Sequence, residues 1–356
     1  KYLKKYYRDK MEKITEMVKK YDPQDQFSVL KNSYLQIEKT WNVKIDLKNL
    51  SKKKFSSIIV SGLGGSAIGG DLLQNFLQAE LKVPLFVNRN YTLPAFVDEN
   101  TLLIASSYSG NTEETLSALN QASSCGASII CVGSGGKTAE IAAQKNLPFV
   151  KIEGGLQPRF AVYSSFFAVL KTLQEAGIIG NQDKIVASIA SLIKKKSGEF
   201  TAENNKALEI AESLIGYIPV VYSAADSTSA VGYRLKGQFN ENSKMHSFSN
   251  VIPELNHNEI IGWETLTEKN FRCKLITILD DTYHPQIKRR FEITSKLAQE
   301  AGAEVIVLKS AEKEFKARLF DLVYYGDWIS YYLAIVRGVD PILIKNINIL
   351  KKELAQ

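Results

Sequence analysis

From residue 56 onward the chain alternates short, wholly apolar runs with amphipathic stretches. "SSIIVSG" (56–62) predicts a strand that ends on glycine, and "SAIGGDLLQNFLQ" after it predicts a helix. "PLFVNR" and "TLLIASS" predict strands, and "NTEETLSALNQASSCG" a helix stopped by glycine. "ASIICVGSGG", "KTAEIAAQKN" and "PFVKIEG" continue as strand, helix and strand. Strands that are apolar throughout, rather than alternating, are buried on both faces. With helices between them they predict a parallel sheet covered on two sides.

The pattern returns after about residue 205. "IPVVYSA" (218–224) predicts a strand, Ser229–Phe239 a helix and "CKLITILDD" (273–281) a strand. Residues 287–310 predict a helix, a glycine stop and a strand, and "GVDPILIKNINILKKEL" (338–354) a closing helix after Pro341. "CGASIICVGSGG" (125–136) aligns with "AGAEVIVLKSAE" (301–312), placing Gly126 and Gly302 in register. "LLIASS" (102–107) aligns with "LITILD" (275–280) at nearly the same offset. Two copies of one αβ unit follow, the second with its glycine loop eroded. The expected division is 1–190, an N-terminal helical segment plus a first domain, and 191–356, a second domain with a C-terminal helix. Apolar positions Ile14, Met17, Val18, Leu30, Tyr34 and Ile37 make the first 50 residues helical.

Composition adds limits. The chain has 356 residues, enough for two domains, and no apolar run reaches the length of a membrane span; "AVYSSFFAVL" (161–170) is the nearest. The basic, aromatic start has no apolar region of a secretory signal behind it. Three cysteines without paired spacing argue against a disulfide framework and a structural zinc site, and for a reducing cytoplasm. The net charge of +7 suits an anionic partner. Its lysines are scattered, and the runs Lys52–Lys54 and Lys194–Lys196 read as solvated faces, so nucleic acid is not the expected partner.

Several loops could carry chemistry. "GLGGSAIGG" (62–70) lies between a strand and a helix, where glycines admit an anion to the helix N-terminus. It contains G-x-G-x-x-A, so a dinucleotide site competes; the expected acid after the second strand is replaced by "VNRN", with Arg89. "SSYSGNTEETL" (106–116) brings Ser107, Ser109, Asn111 and Thr112 together at a helix start, either as a phosphate cup or as an ordinary N-cap. "GLQPRFA" (155–161) holds Arg159 in a Pro-containing turn, suited to an oxyanion or to a surface ion pair. "QFNENSKMHSFSN" (238–250) carries Glu241 between two amides. "NVIPELNHNEIIGW" (250–263) carries His257, one of three histidines, in a polar stretch read as mostly loop.

These stretches, with "GLGGSAIGGDLL", "QPRFAV" and the ending "GVDP…INILKKEL", resemble the bifunctional phosphoglucose/phosphomannose isomerases of the sugar isomerase (SIS) superfamily, from about residue 56 to 354. The resemblance implies an α/β fold of two SIS domains, each a doubly wound parallel-sheet αβα sandwich, with flanking N- and C-terminal helices. It implies a metal-independent isomerase of hexose 6-phosphates with no cofactor, and a homodimer with a shared active site. Gly64, Gly65, Ser66, Ser107, Ser109 and Thr112 would bind the 6-phosphate. Glu241 would move a proton between C1 and C2, Arg159 would stabilise the enediolate, and His257, from the partner subunit, would open the ring. Lys351, with Lys345 as the alternative, would assist ring opening. The chemistry agrees: an aldose–ketose isomerase needs an anion cup, a carboxylate base, a positive group at the enediolate and an acid–base group for the ring oxygen. The polar neighbours of His257 would fix its tautomer, and Pro253 and Trp263 would anchor its loop. A non-catalytic sugar-phosphate sensor would keep the serine/threonine loop but need neither Glu241 nor His257.

Overall fold

The structure is a computed structural model. It describes residues 2–47, 50, 53–203, 205–267 and 271–354; the side chains of 2–11 and 267 lie outside that description, as do Lys52 and the side chains of the basic start. The chain divides into two compact units, residues 33–191 and residues 1–32 with 192–356. Helices α1 (Tyr2–Tyr21) and α2 (Gln26–Lys31) thus cluster with the second half of the chain.

The unit of residues 33–191 contains α3 (Ser33–Trp41), β1 (Ser57–Ser61), α4 (Gly65–Leu77), β2 (Leu85–Asn88), β3 (Thr101–Ser106) and α5 (Glu113–Ser124). It continues with β4 (Ser128–Gly133), α6 (Gly136–Gln144), β5 (Phe149–Lys151) and α7 (Val162–Glu175), and α8 (Asp183–Phe200) carries the chain onward. Its five strands lie in the order β2-β1-β3-β4-β5, and all pairs are parallel. Every residue of β1, β3 and β4 is buried, as wholly apolar runs require. On one face α7 packs against α3 and α4, with Phe166 edge-on to Phe76 at 5.3 Å.

The other unit holds α9 (Lys206–Ser213), β6 (Ile218–Ala224), α10 (Ser229–Glu241), β7 (Phe248–Ile252), β8 (Cys273–Leu279), α11 (Pro285–Glu300), β9 (Glu304–Lys309), α12 (Phe315–Val336) and α13 (Lys345–Leu354). Its parallel sheet runs β7-β6-β8-β9, the first sheet's order without a counterpart of β5. The repeat extends to single hydrogen bonds. α5 and α11 both stop at a positive-φ glycine, Gly126 (φ 72°) and Gly302 (φ 103°), with matching bonds Ala127 N–H to Ala122 O and Ala303 N–H to Ala298 O. Helix α12 is apolar on nearly every side and buries Tyr324, Trp328, Tyr331 and Tyr332. Arg234 of α10 pairs with its Asp327 at 2.8 Å, both fully enclosed, and Gln238 donates to the same carboxylate.

The stretch 250–263 departs from expectation. Its first residues belong to β7, and the rest forms two 3-10 segments, Glu254–His257 and Glu259–Thr267. "FSNVI" mixes polar and apolar residues because β7 is a half-covered edge strand, so it lacks the continuous apolar signature of the central strands. Among the described residues no helix is long and apolar enough to cross a membrane.

Candidate functional site

The loops that follow β1, β3 and β4 meet at the C-terminal edge of the first sheet, and glycine lets them touch. A Cβ on Gly62 would lie 2.7 Å from Ser106 O, one on Gly133 2.4 Å from Ser107 O, and one on Gly110 1.8 Å from Gly135 O. At Gly65 it would lie 2.5 Å from Pro158 O and 3.3 Å from Arg159 N. The start of α4 is therefore pressed against the turn that carries Arg159. Gly64 differs: it sits at φ 51° with nothing within 4 Å of its Cβ direction, so its outer side is open.

The hydroxyls of Ser107 and Thr112 face each other at 2.9 Å, and Ser107 Oγ also accepts from Gly110 N–H at 3.1 Å. Thr112 is the N-cap residue of α5, yet no side chain caps that helix. The Thr112 hydroxyl is turned to Ser107 rather than to its own helix, which weighs against an ordinary N-cap. Ser66, buried in the first turn of α4, accepts from Tyr108 N–H at 3.3 Å. Ser109 is exposed and its Oγ accepts from Asn111 N–H. Glu113 takes a hydrogen bond from Tyr91 Oη at 3.3 Å, away from the serine loop. The Tyr91 phenol is held above its ordinary range by the charge of Glu114 above all, then by desolvation and by Glu113. Arg159 is 5% exposed, with its guanidinium 5.4 Å from the centre of the Phe160 ring. Gly64, Gly65, Ser66, Ser107, Ser109, Thr112 and Arg159 thus belong to one loop cluster.

The dinucleotide alternative fares worse. Arg89 forms an ion pair with Asp71 of α4. Burial raises the Asp71 carboxyl above its ordinary range and Arg89 partly offsets this, so the guanidinium is already engaged.

In the second unit the corresponding loops are filled. Thr228 Oγ1 accepts from Ala224 N–H at 3.1 Å and is bonded to the Tyr283 hydroxyl. Asp280 pairs with Arg318 at 2.6 and 3.0 Å. The eroded glycine loop leaves no cup there. A cavity of about 380 Å³ between β8, β9 and α11 is lined by none of the residues singled out from sequence.

Glu241, His257 and Lys351 lie in this unit, and Glu241 and His257 do not converge. Glu241 ends α10, at the edge where the strands begin; Asn240 Oδ1 accepts from Ser247 N–H and Asn242 bonds Ser330. His257 follows the C-terminal end of β7. Since α10 runs the length of the sheet, 13 residues place these groups roughly 20 Å apart at opposite ends. His257 is exposed and its neighbours do not reach its ring. Asn256 bonds Thr294 and Arg290, and Glu259 bonds Tyr222 and Asn250. The loop is anchored by buried Leu255 and by Trp263, edge-on to Tyr222 at 6.0 Å, while Pro253 is exposed. Polar neighbours therefore shape the loop rather than the tautomer. Lys351 and Lys345 both sit on α13, a helix with no buried residue. Among the described residues no group of three or more His, Cys, Asp or Glu side chains is placed to hold a metal ion.

Sequence reasoning passed over Tyr108 and Gln36. Tyr108 stands inside the serine motif, whose reading rests on its hydroxyls and amide, and Gln36 lies in a helix read only for its apolar face.

Comparisons with known proteins supply the family. Residues 203–354 match the bacterial phospho-glucose isomerase C-terminal SIS domain. A bifunctional phosphoglucose/phosphomannose isomerase of Caldicellulosiruptor bescii is 38% identical, covering 90% of this chain and 96% of its own. The chain belongs to the bifunctional phosphoglucose/phosphomannose isomerase family. A second relative of that name, from Aquifex aeolicus, is 36% identical over 84% of this chain and 91% of its own. In three dimensions a hypothetical protein of Thermus thermophilus superposes with a TM-score of 0.74 at 16% identity, covering 99% of this chain and 96% of its own. That likeness supports the fold, two parallel sheets with helices.

Proposed function

We propose that this isomerase interconverts glucose 6-phosphate, and mannose 6-phosphate, with fructose 6-phosphate, without a metal or cofactor. The observation that carries the reading is the facing pair of hydroxyls, Ser107 and Thr112, at a helix start that no side chain caps. Backbone N–H groups and the positive end of α5 favour a phosphate there. Ser66, Ser109 and the open side of Gly64 complete the cup.

With the phosphate fixed, the sugar ring opens and a proton moves between C1 and C2. Glu241 takes and returns that proton, and Arg159 balances the charge of the enediolate. His257 of the partner subunit handles the ring oxygen and Lys351 assists it. The separation of Glu241 from His257 supports a site shared across a homodimer, because one protomer's pair cannot reach the same hexose.

The test is turnover of each aldose phosphate to fructose 6-phosphate with EDTA present. Conversion of both supports the full reading. Conversion of glucose 6-phosphate alone restricts the substrate, and loss with EDTA refutes metal independence. Failure on both aldose phosphates, with fructose 6-phosphate still raising the melting temperature, would replace the enzyme by a sensor.

A further inference from the structure

The turn that carries Arg159 is held from two sides. Gln36, buried in α3, donates from Nε2 to Phe160 O at 2.9 Å, and its Oε1 accepts from the Ser164 hydroxyl at 3.2 Å. From the cup side, Leu156 N–H donates to Tyr108 Oη at 2.9 Å.

Tyr108 is 7% exposed and lies between the two serines of the β3 loop. Its amide donates to Ser66 Oγ, at the start of α4. Its carbonyl accepts from Ser134 N–H at 3.0 Å and from Ser134 Oγ at 2.7 Å, in the loop after β4. One residue therefore touches the β1 loop, the β4 loop and the 155–159 turn. The backbone bonds would survive loss of the phenol oxygen, whereas the bond to Leu156 would not. Burial raises the phenol above its ordinary range, and the Leu156 bond opposes this; the group stays protonated at neutral pH.

We propose that Tyr108 is a positioning residue, whose hydroxyl sets the Arg159 turn relative to the Ser66–Ser107–Thr112 cup. Its consequence for turnover rests on the isomerase reading above. Its physical content, a tether between two loops, does not.

The experiment is Tyr108→Phe, which keeps the buried ring and every backbone bond, in wild-type and Arg159→Met backgrounds. Amide exchange in the 155–159 segment should rise at least about tenfold, with α7 unchanged. In the wild-type background kcat should fall about tenfold, while KM for fructose 6-phosphate stays within about twofold, since the cup is intact. In the Arg159→Met background Tyr108→Phe should cost nothing further, because both changes act through one group. Unchanged exchange at 155–159, an unfolded variant, or an equal fold-loss in both backgrounds would overturn the proposal. A wild-type protein inactive on hexose 6-phosphates would refute the isomerase reading instead, and the exchange comparison alone would then decide the tether.

Discussion

Alanine at Gly65 and at Gly64 should damage this enzyme in opposite ways. At position 65 the added Cβ would stand 2.5 Å from Pro158 O and 2.9 Å from Pro158 C, where real Cβ contacts essentially never fall below 3.0 Å. Both atoms are backbone, so no rotamer change relieves the clash. The 157–159 turn must move by at least about 0.5 Å, at about 1–3 kcal/mol in stability. Arg159 moves with it. A displacement of 1 Å near the chemistry can cost about a hundredfold, so half of that predicts roughly tenfold in kcat. Alanine at position 64 meets no atom within 4 Å but must hold φ 51° and ψ −121°, outside the left-handed helical well and favoured by glycine, at about 1–3 kcal/mol. Its methyl would fill the open side of the cup, so KM should rise several-fold while kcat holds. Fructose 6-phosphate to glucose 6-phosphate conversion, coupled to a dehydrogenase, gives both constants, and thermal melting checks that each variant is folded. A folded Gly65→Ala variant with kcat within twofold of wild type would refute the reasoning. It would mean that contact between α4 and the Arg159 turn does not govern turnover.

Three other outcomes are expected. Glu241→Gln and His257→Ala should each be nearly inactive, Glu241→Gln by roughly a thousandfold. Unfolding and refolding them together should restore about a quarter of wild-type activity, since half the dimers pair one of each and hold one intact site; no recovery would place both groups in one protomer's site. Asp280→Asn should lower stability at neutral pH by roughly 3 kcal/mol, read from the urea midpoint, because buried Arg318 loses its partner. Burial pushes the Asp280 carboxyl up, but bonds from Arg318 and Thr282 outweigh it and hold it below the ordinary range. Its contribution is therefore present above the unfolded pKa of about 3.9 and lost as pH falls through the lower folded value, so the gap from wild type should close only in acid.

Much of this molecule was legible along the chain. The central strands β1, β3 and β4 are apolar through their middles, with small Ser, Thr or Gly at their ends, as strands covered on both faces require. Gly126 and Gly302 marked the same helix stop in two copies, because few residues other than glycine take that φ at low cost. The serine loop was legible because hydroxyls crowded at a helix start are chemically conspicuous. β7 was not, since an edge strand need not be apolar throughout, and α12 was not, since a helix buried all round carries no amphipathic period.

The sequence by itself determined the local alphabet of this protein: parallel αβ units, their repetition and the residue types a phosphate would meet. Tertiary structure decided what those residues do to one another. Only folding could turn Thr112 from its own helix to Ser107, fill the second cup with Tyr283, and tie Tyr108 to a turn 48 residues away. The reason is physical. Periodicity and propensity are properties of neighbours along the chain, whereas a hydrogen bond or a glycine contact depends on which segments the sheet order brings together, and that order is written in no single segment.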